Sequence, residues 1–298
     1  MKIKLFLLGI LTVVVISYLF GAGIFKKGES GKPLEEKMQV VASFYPLWFF
    51  ASEIGKEKVH VTNITPPGAE PHEFEPGTGD IVKIELSKML IINGAGLEPW
   101  AEKLIGELER KGITVVTAGE DGGKITDPHV WLDPVLAKLE VKKIGEAFIR
   151  VDPQNKSFYE ENIKTLDGKL ASLDQEFRNG LTNCKQKNIV TSHAAFGYVS
   201  SRYGLEQIAI SGLSPEQEPS PQELGEVAKF ARDNNVKYIF FETLVSPRLA
   251  ETIASEIGAE TLVFDPLEGL SDEDQKAGKD YFSAQRENLE NLKTALQC

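Results

Sequence analysis

Short apolar runs alternate with longer amphipathic stretches along most of the chain. Eight such runs have the length and composition of strands: 40–44, 59–64, 89–92, 113–116, 189–191, 208–210, 236–241 and 261–264. Strands that alternate with stretches of helical period predict parallel α/β sheets. Four runs precede a long gap and four follow it, so we expect two similar lobes.

The gap between the two sets of strands has the pattern of a single helix. From Asp152-Pro153 to about Leu181, apolar side chains recur at spacings of 4, 3, 4 and 4: Leu166, Leu170, Leu173, Phe177 and Leu181. A helix of this length is about 40 Å long and would connect the lobes stiffly. A second helical pattern covers residues 274–296. We therefore divide the chain into an N-terminal segment (1–37), a first lobe (38–152), a linking helix (153–182) and a second lobe (183–298).

The N-terminus has the pattern of an export segment. Lys2 and Lys4 precede an apolar run over residues 5–25, and Lys26 and Lys27 follow it. The run is long enough to span a bilayer, so both an uncleaved anchor and a cleaved signal remain open. The absence of a Cys near its end excludes a lipid anchor there. Either reading places the rest of the chain outside the cytoplasm, behind a Gly- and Lys-rich tether over residues 26–37.

Composition narrows the function without defining it. The 298-residue chain has a formal net charge of -11 and a pI near 5.1, which argues against a nucleic-acid partner. An acidic chain suits the handling of cations. There are two cysteines, Cys184 and Cys298. An exported compartment permits a disulfide between them, which we favour over two unrelated thiols.

Five side chains with metal-binding chemistry follow predicted strands. His72, His129 and His193 lie after the runs that end at residues 64, 116 and 191, while Glu242 and Asp265 directly follow two later runs. Ligands of parallel α/β sheets bind beyond the carboxyl ends of the strands, so these residues would meet in one cleft. Three imidazoles and a carboxylate from both lobes would form a four-ligand site for zinc or a related metal.

Other residues near these positions have simpler interpretations. His60 lies within the alternation of a strand and is read as structural. Asp133 precedes Pro134 and has the position of a helix N-cap. Glu242 is either a direct ligand or an acceptor that orients an imidazole. Three aromatic residues flank the candidate ligands and either wall the site or pack in the core: Phe74, Trp131 and Phe196.

Several motifs in order resemble the metal-binding solute-binding proteins of ABC importers, the zinc-uptake ZnuA and TroA-like group (cluster A-I). They are VVASFYPLWFFASEIG, PGAEPHEFEP, INGAGLEPW, DPHVWLDP, TSHAAFGY, the FFET strand end and FDPLEGL, and they extend from about residue 39 to the C-terminus. The resemblance implies two Rossmann-like lobes with parallel four-stranded sheets, one long backbone helix and a metal in the interlobe cleft. It implies ligands at His72, His129, His193 and Asp265, with Glu242 as an acidic position near the site.

Two departures from the group affect the choice of metal. Many zinc-specific members carry a His- and acid-rich loop before the second ligand, whereas GEDGGKITDPH is short and has no additional His. Manganese-selective relatives often replace the third His with Glu, whereas this chain keeps His193. Three nitrogen ligands and one carboxylate suit tetrahedral zinc, so we predict zinc first and manganese second.

These observations predict a monomeric binding protein that captures zinc outside the cytoplasm and delivers it to an ABC permease. We do not expect an enzyme. The alternatives are a zinc hydrolase with Glu242 as base and a surface adhesion protein. A hydrolase would need an open fourth metal position, and the chain contains neither HExxH nor GxSxG. The sequence does not separate adhesion from transport.

Overall fold

Two parallel four-stranded sheets organise the fold. The computed structural model describes residues 37–120 and 127–298. The first sheet has the order β2-β1-β3-β4, with strands Met38–Ala42 (β1), Val59–Asn63 (β2), Met89–Ile92 (β3) and Thr114–Thr117 (β4). The second has the order β6-β5-β7-β8, with strands Asn188–Thr191 (β5), Glu206–Ala209 (β6), Tyr238–Phe241 (β7) and Glu260–Val263 (β8). The predicted two-lobe α/β architecture is confirmed.

Helices connect and cover the strands. The described residues form eleven α-helices: Tyr45–Gly55 (α1), Thr78–Leu86 (α2), Pro99–Glu102 (α3), Ile105–Arg110 (α4), Pro134–Val151 (α5), Lys156–Gly180 (α6), Gly197–Tyr203 (α7), Pro221–Asp233 (α8), Arg248–Ile257 (α9), Asp272–Lys276 (α10) and Tyr281–Leu296 (α11). Short 3-10 turns lie at Lys56–Lys58, Pro71–Glu73, Val130–Leu132 and Pro153–Asn155. Pro71–Glu73 contains His72, and Val130–Leu132 directly follows His129.

The long linking helix is present and begins slightly later than predicted. A 3-10 turn, Pro153–Asn155, precedes α6, and the carboxylate of Asp152 accepts hydrogen bonds from the Asn155 amide and the Tyr159 hydroxyl. Asp152 thus organises the turn rather than capping α6. The apolar face of the helix is buried as the spacing predicted, at Leu166, Leu170, Leu173 and Phe177.

Aromatic packing joins the two lobes away from the sheets. Phe49 of α1 stacks on Tyr281 of α11, with ring centroids 5.7 Å apart, and Phe50 meets the same ring edge-on at 5.0 Å. All three side chains belong to one hydrophobic core that includes the buried face of α6. The C-terminal helix α11 is therefore packed against the first lobe, which opposes large hinge motions between the lobes.

Residues Lys37–Cys298 form one compact unit, so the boundaries proposed at residues 152 and 182 stay predictions.

A disulfide joins Cys184, just before β5, to Cys298 at the end of α11. Among the described residues, no helix combines the length and the apolar character needed to cross a membrane. The predicted export or anchor segment and most of its tether lie outside the described residues.

Candidate metal site

The loop that follows β2 carries His72. The 3-10 turn Pro71–Glu73 holds this residue, and the carboxylate of Glu70 accepts a hydrogen bond of 3.1 Å from the backbone N–H of His72. Pro71 pre-sets the backbone angle at the start of the turn, which suits a turn with a fixed side-chain direction. The His72 side chain is only 9% exposed.

His129 lies in the segment between β4 and α5, and Asp127 fixes its orientation. One carboxylate oxygen, Asp127 Oδ1, accepts from the backbone N–H of His129 at 3.0 Å and from its ring Nδ1 at 2.7 Å. The His129 side chain is fully buried. Asp127 is a site residue that was not predicted, although an Asp two residues before a histidine is a recognisable signal for this local turn.

His193 lies two residues after the end of β5. Its backbone carbonyl accepts hydrogen bonds from the Thr191 hydroxyl at 2.8 Å and the Gln207 amide at 3.2 Å. Its ring Nδ1 lies 2.6 Å from Glu242 Oε1, at the end of β7. Glu242 therefore stands in the position of an acceptor that orients an imidazole, which was one of its two predicted roles.

Four ligand atoms converge at one point between the lobes. Glu268 Oε1 lies 3.2 Å from His72 Nε2, 3.2 Å from His129 Nε2 and 3.4 Å from His193 Nε2. The Nε2 atoms of His129 and His193 are 3.2 Å apart. Within the described residues, this group is the one set of His, Cys, Asp or Glu side chains arranged to hold a metal ion.

These separations fit a tetrahedral zinc ion. Zinc bonds of about 2.0–2.1 Å to nitrogen and oxygen place tetrahedral ligands about 3.3–3.4 Å from one another. Four of the six separations among the ligand atoms are 3.2–3.4 Å, and all six are within 4.8 Å. Imidazole nitrogens that face each other so closely repel unless a proton or a metal ion lies between them. The arrangement is therefore built around a cation.

Asp265 does not belong to this group. Its Oδ1 accepts from the backbone N–H of Leu267 at 2.8 Å, and its Oδ2 accepts from the Thr243 hydroxyl at 3.2 Å. Burial raises the pKa of Asp265 to about 6. The structure brings Glu268, three residues later in the FDPLEGL motif, to the place expected for Asp265. The buried Glu268 side chain has no exposed surface.

Hydrogen bonds to carboxylates set the state of two histidines. A carboxylate can only accept, so Asp127 and Glu242 favour the tautomers of His129 and His193 that carry the proton on Nδ1. In each of these tautomers the Nε2 lone pair points toward the centre of the site, as a metal ligand must.

Burial and neighbouring charged groups shift the pKa values of the site residues. Burial disfavours the charged imidazole of His193, but the carboxylates of Glu242 and Glu268 outweigh it and raise its pKa to about 10. The pKa of His129 is raised in the same way, against burial, by Asp127 and Glu268. Burial alone would raise the pKa of Glu268, but hydrogen bonds from the histidines hold it well below the usual range.

Three further residues named from the sequence lie outside the group of four candidate ligands. His60 is an exposed residue of β2 and is not part of the group. Asp133 is the N-cap of α5, where its side chain accepts from the backbone N–H of Val135. Trp131 is fully buried, 5.2 Å from the His129 ring, and its Nε1 donates to the Pro266 carbonyl at 2.7 Å. It thus walls the site and links the His129 segment to the loop that carries Glu268.

Comparison with known proteins places this chain in a family. The model of the ZnuA family, described as zinc-uptake complex component A, periplasmic, matches residues 40–295. The high-affinity zinc uptake system protein ZnuA of Bacillus subtilis is 40% identical over 281 residues, which cover 88% of each chain. The zinc-binding lipoprotein AdcA of Streptococcus pneumoniae is 36% identical over 282 residues, 88% of this chain but 56% of AdcA.

Solved structures agree with the sequence comparison. The crystal structure of the Zn(II)-bound ZnuA-like domain of Streptococcus pneumoniae AdcA has a TM-score of 0.78 and 38% identity, and the match covers 88% of this chain and all of that domain. The family match extends over almost the whole described chain, and the resemblance noted from the motifs is confirmed. The chain therefore belongs to the ZnuA family of zinc-uptake, metal-binding solute-binding proteins.

Proposed function

We propose that this protein captures zinc outside the cytoplasm through His72, His129, His193 and Glu268 and delivers it to an ABC permease. The observation that carries the proposal is the convergence of three Nε2 atoms on one carboxylate oxygen, Glu268 Oε1, at 3.2–3.4 Å. Two relatives of this chain are named for zinc uptake or zinc binding. In this proposal the metal is cargo, bound and then released.

The ligand set supports zinc more strongly than manganese. Three neutral imidazoles and one carboxylate match the nitrogen-rich, four-coordinate sites that zinc prefers. Manganese favours oxygen ligands and a higher coordination number. Glu268 supplies the single oxygen, and the described residues offer no second carboxylate within the group. We therefore keep manganese as a second, weaker ligand.

The closed shell favours binding over hydrolysis. A catalytic zinc site keeps one position open for water, whereas Glu268 would supply a fourth ligand here. Glu242, the base of the hydrolase alternative, is already bonded to His193 Nδ1 at 2.6 Å and is 2% exposed. A carboxylate in that position orients an imidazole.

Delivery requires a ligand set that can be taken apart. His72 comes from the loop after β2, whereas Glu268 and His193 come from loops of the second sheet. Small relative movements of these loops would separate His72 from the other ligands without unpacking the lobes. We propose that a membrane permease receives the metal from a monomeric, extracytoplasmic form of the chain, exported or held at the membrane by its N-terminal segment.

Elemental analysis of protein purified without chelators, followed by competition between zinc and manganese, tests this function. We expect one zinc ion per chain and preference for zinc over manganese. Titration of zinc into His129→Ala and His193→Ala variants completes the test. Unchanged zinc affinity in both variants would contradict the proposal.

A further inference from the structure

The segment that carries His129 belongs to the first half of the chain, but the second half holds it in place. Besides the contacts of His129 with His193 and Glu268, five hydrogen-bonded or ion pairs join residues 127–133 to the second half: Tyr198–Asp127, Trp131–Pro266, Tyr281–Trp131, Gln285–Leu132 and Arg202–Asp133. The first of these contacts reaches the residue that orients the His129 ring. It therefore has a more direct bearing on the metal site than the other four.

Two neighbouring residues at the start of α7 lie next to Asp127. The Tyr198 hydroxyl donates a 3.0 Å hydrogen bond to the backbone carbonyl of Asp127. A methyl group on Gly197 would lie 3.0 Å from Asp127 Oδ2, so the glycine leaves just enough room for the carboxylate. Asp127 is thus held through its backbone by one residue and confined at its side chain by the other.

Asp127 passes this positioning on to His129. Its Oδ1 bonds both the backbone N–H and the ring Nδ1 of His129, so a displaced carboxylate would rotate the ring or release its tautomer. We propose, resting on the zinc-binding function proposed above, that Gly197 and Tyr198 are positioning residues that hold His129 in its metal-binding orientation through Asp127.

The segment over residues 191–198, which contains Gly197 and Tyr198, also carries His193. The Thr191 hydroxyl and the backbone of Ala194 tie this segment to the second lobe, through bonds to the His193 and Gly212 carbonyls. The TSHAAFGY motif thereby sets two ligands at once, His193 directly and His129 through Asp127. Gly197 and Tyr198 follow His193 by four and five residues and are the first two residues of α7.

Replacing Tyr198 by Phe tests the hydroxyl contact with a matched control on the same helix. Tyr203 of α7 also donates its hydroxyl to an aspartate, Asp174 Oδ1 at 3.1 Å, away from the metal group. We expect Tyr198→Phe to weaken zinc binding about tenfold, at the lower end of the range for partners that orient metal ligands. Tyr203→Phe should bind zinc like the wild-type chain.

Replacing Gly197 by Ala separates positioning from folding. Alanine is the better helix former, so the metal-free Gly197→Ala protein should melt no lower than wild type. Its methyl group should nevertheless displace the Asp127 carboxylate and weaken zinc binding by about tenfold. Gly225→Ala in α8 is the control, because no atom lies within 4 Å of the added methyl group.

Visible spectra of the Co²⁺-loaded proteins report ligand geometry directly. We expect altered ligand-field bands in Tyr198→Phe and Gly197→Ala and wild-type bands in both controls. Wild-type zinc affinity in the two test variants, or weaker binding with an unchanged cobalt spectrum, would overturn the positioning role. Failure of the wild-type chain to bind zinc would instead overturn the proposed function, and the positioning role with it.

Discussion

At the residue scale, three aspartates accept hydrogen bonds from the nearby backbone. Asp127, Asp133 and Asp265 each accept a hydrogen bond from the backbone N–H two residues later. This turn is typical of Asp because its short side chain reaches the neighbouring amide. Asp265 therefore stabilises the turn at the end of β8, while the longer Glu268 side chain is left to reach the histidines.

Because Asp265 stabilises a turn and Glu268 reaches the histidines, we expect neutralising substitutions at these two positions to have different effects. Glu268→Gln should weaken zinc binding more than about 100-fold, because the loss of a direct ligand exceeds the effect of losing its partners. Asp265→Asn retains a side-chain acceptor for the Leu267 N–H and should leave zinc affinity close to that of wild type. Competition titration with a zinc-chelating dye measures both. A larger loss in Asp265→Asn would contradict this account of the fourth ligand.

The same chemistry explains which site residues the sequence could indicate. His72, His129 and His193 stand out because each follows a predicted strand, and the structure brings them together. Glu268 was not predicted because it lies in a loop, three residues after Asp265, which has the same charge and follows the predicted strand directly. Asp127 was not predicted either: its local turn has a sequence signal, but its bond to the ring Nδ1 depends on the direction in which the His129 ring points.

At the scale of elements, the order of strands and helices was predictable because it rests on local patterns. All eight apolar runs correspond to strands, and the segment with apolar spacings of 4, 3, 4 and 4 corresponds to α6. Helix boundaries were less predictable. Asp152 and Pro153 have the chemistry of a helix start, but they form a 3-10 turn because Asp152 bonds the side chains of Asn155 and Tyr159.

Helix α5 contains a buried carboxyl group that should lower stability at high pH. Glu140 is 1% exposed, neither of its oxygens has a hydrogen-bond partner, and burial raises its pKa to about 8. A raised folded-state pKa contributes stability below the ordinary carboxyl pKa, and this contribution is lost as the pH rises toward 8. Glu140→Gln should therefore be less pH-sensitive than wild type.

Chemical denaturation of the metal-free proteins at pH 5 and pH 8 tests this. At pH 8 the Glu140→Gln variant should be more stable than wild type by a few kcal/mol, since one pKa unit corresponds to about 1.4 kcal/mol. Glu146→Gln, on the exposed face of the same helix, should show no such gain. Equal pH dependence in wild type and Glu140→Gln would show that the carboxyl is not a buried acid.

The disulfide should support the second lobe without touching the site. Cys184 and Cys298 are 114 residues apart in sequence, and a link that closes so long a loop restricts the unfolded chain strongly. The double variant Cys184→Ala, Cys298→Ala should lose about 2–4 kcal/mol of unfolding free energy. Its zinc affinity at a temperature well below unfolding should equal that of wild type. A wild-type unfolding free energy would remove the disulfide from the account of stability.

At the scale of the whole molecule, metal binding is linked to protons. The pKa of His193 is raised to about 10 in the metal-free chain, so the site holds a proton at neutral pH. Zinc requires the neutral imidazole and must displace that proton. Zinc affinity should therefore rise with pH up to about 10 and fall as the solution becomes acidic.

Calorimetry at pH 7 in buffers with different ionisation enthalpies measures this linkage. We expect release of about one proton or more per zinc ion bound. A binding enthalpy that does not depend on the buffer would show that the metal-free site is already deprotonated, and would contradict the assigned coupling between His193, Glu242 and Glu268.

We propose that zinc is held by three imidazole nitrogens and the carboxylate of Glu268. X-ray absorption at the zinc edge of the one-to-one complex tests this most directly. We predict four nitrogen and oxygen ligands at about 2.0–2.2 Å, with the outer-shell scattering of three imidazoles. A spectrum with six oxygen-type ligands, or with fewer than three imidazoles, would contradict it.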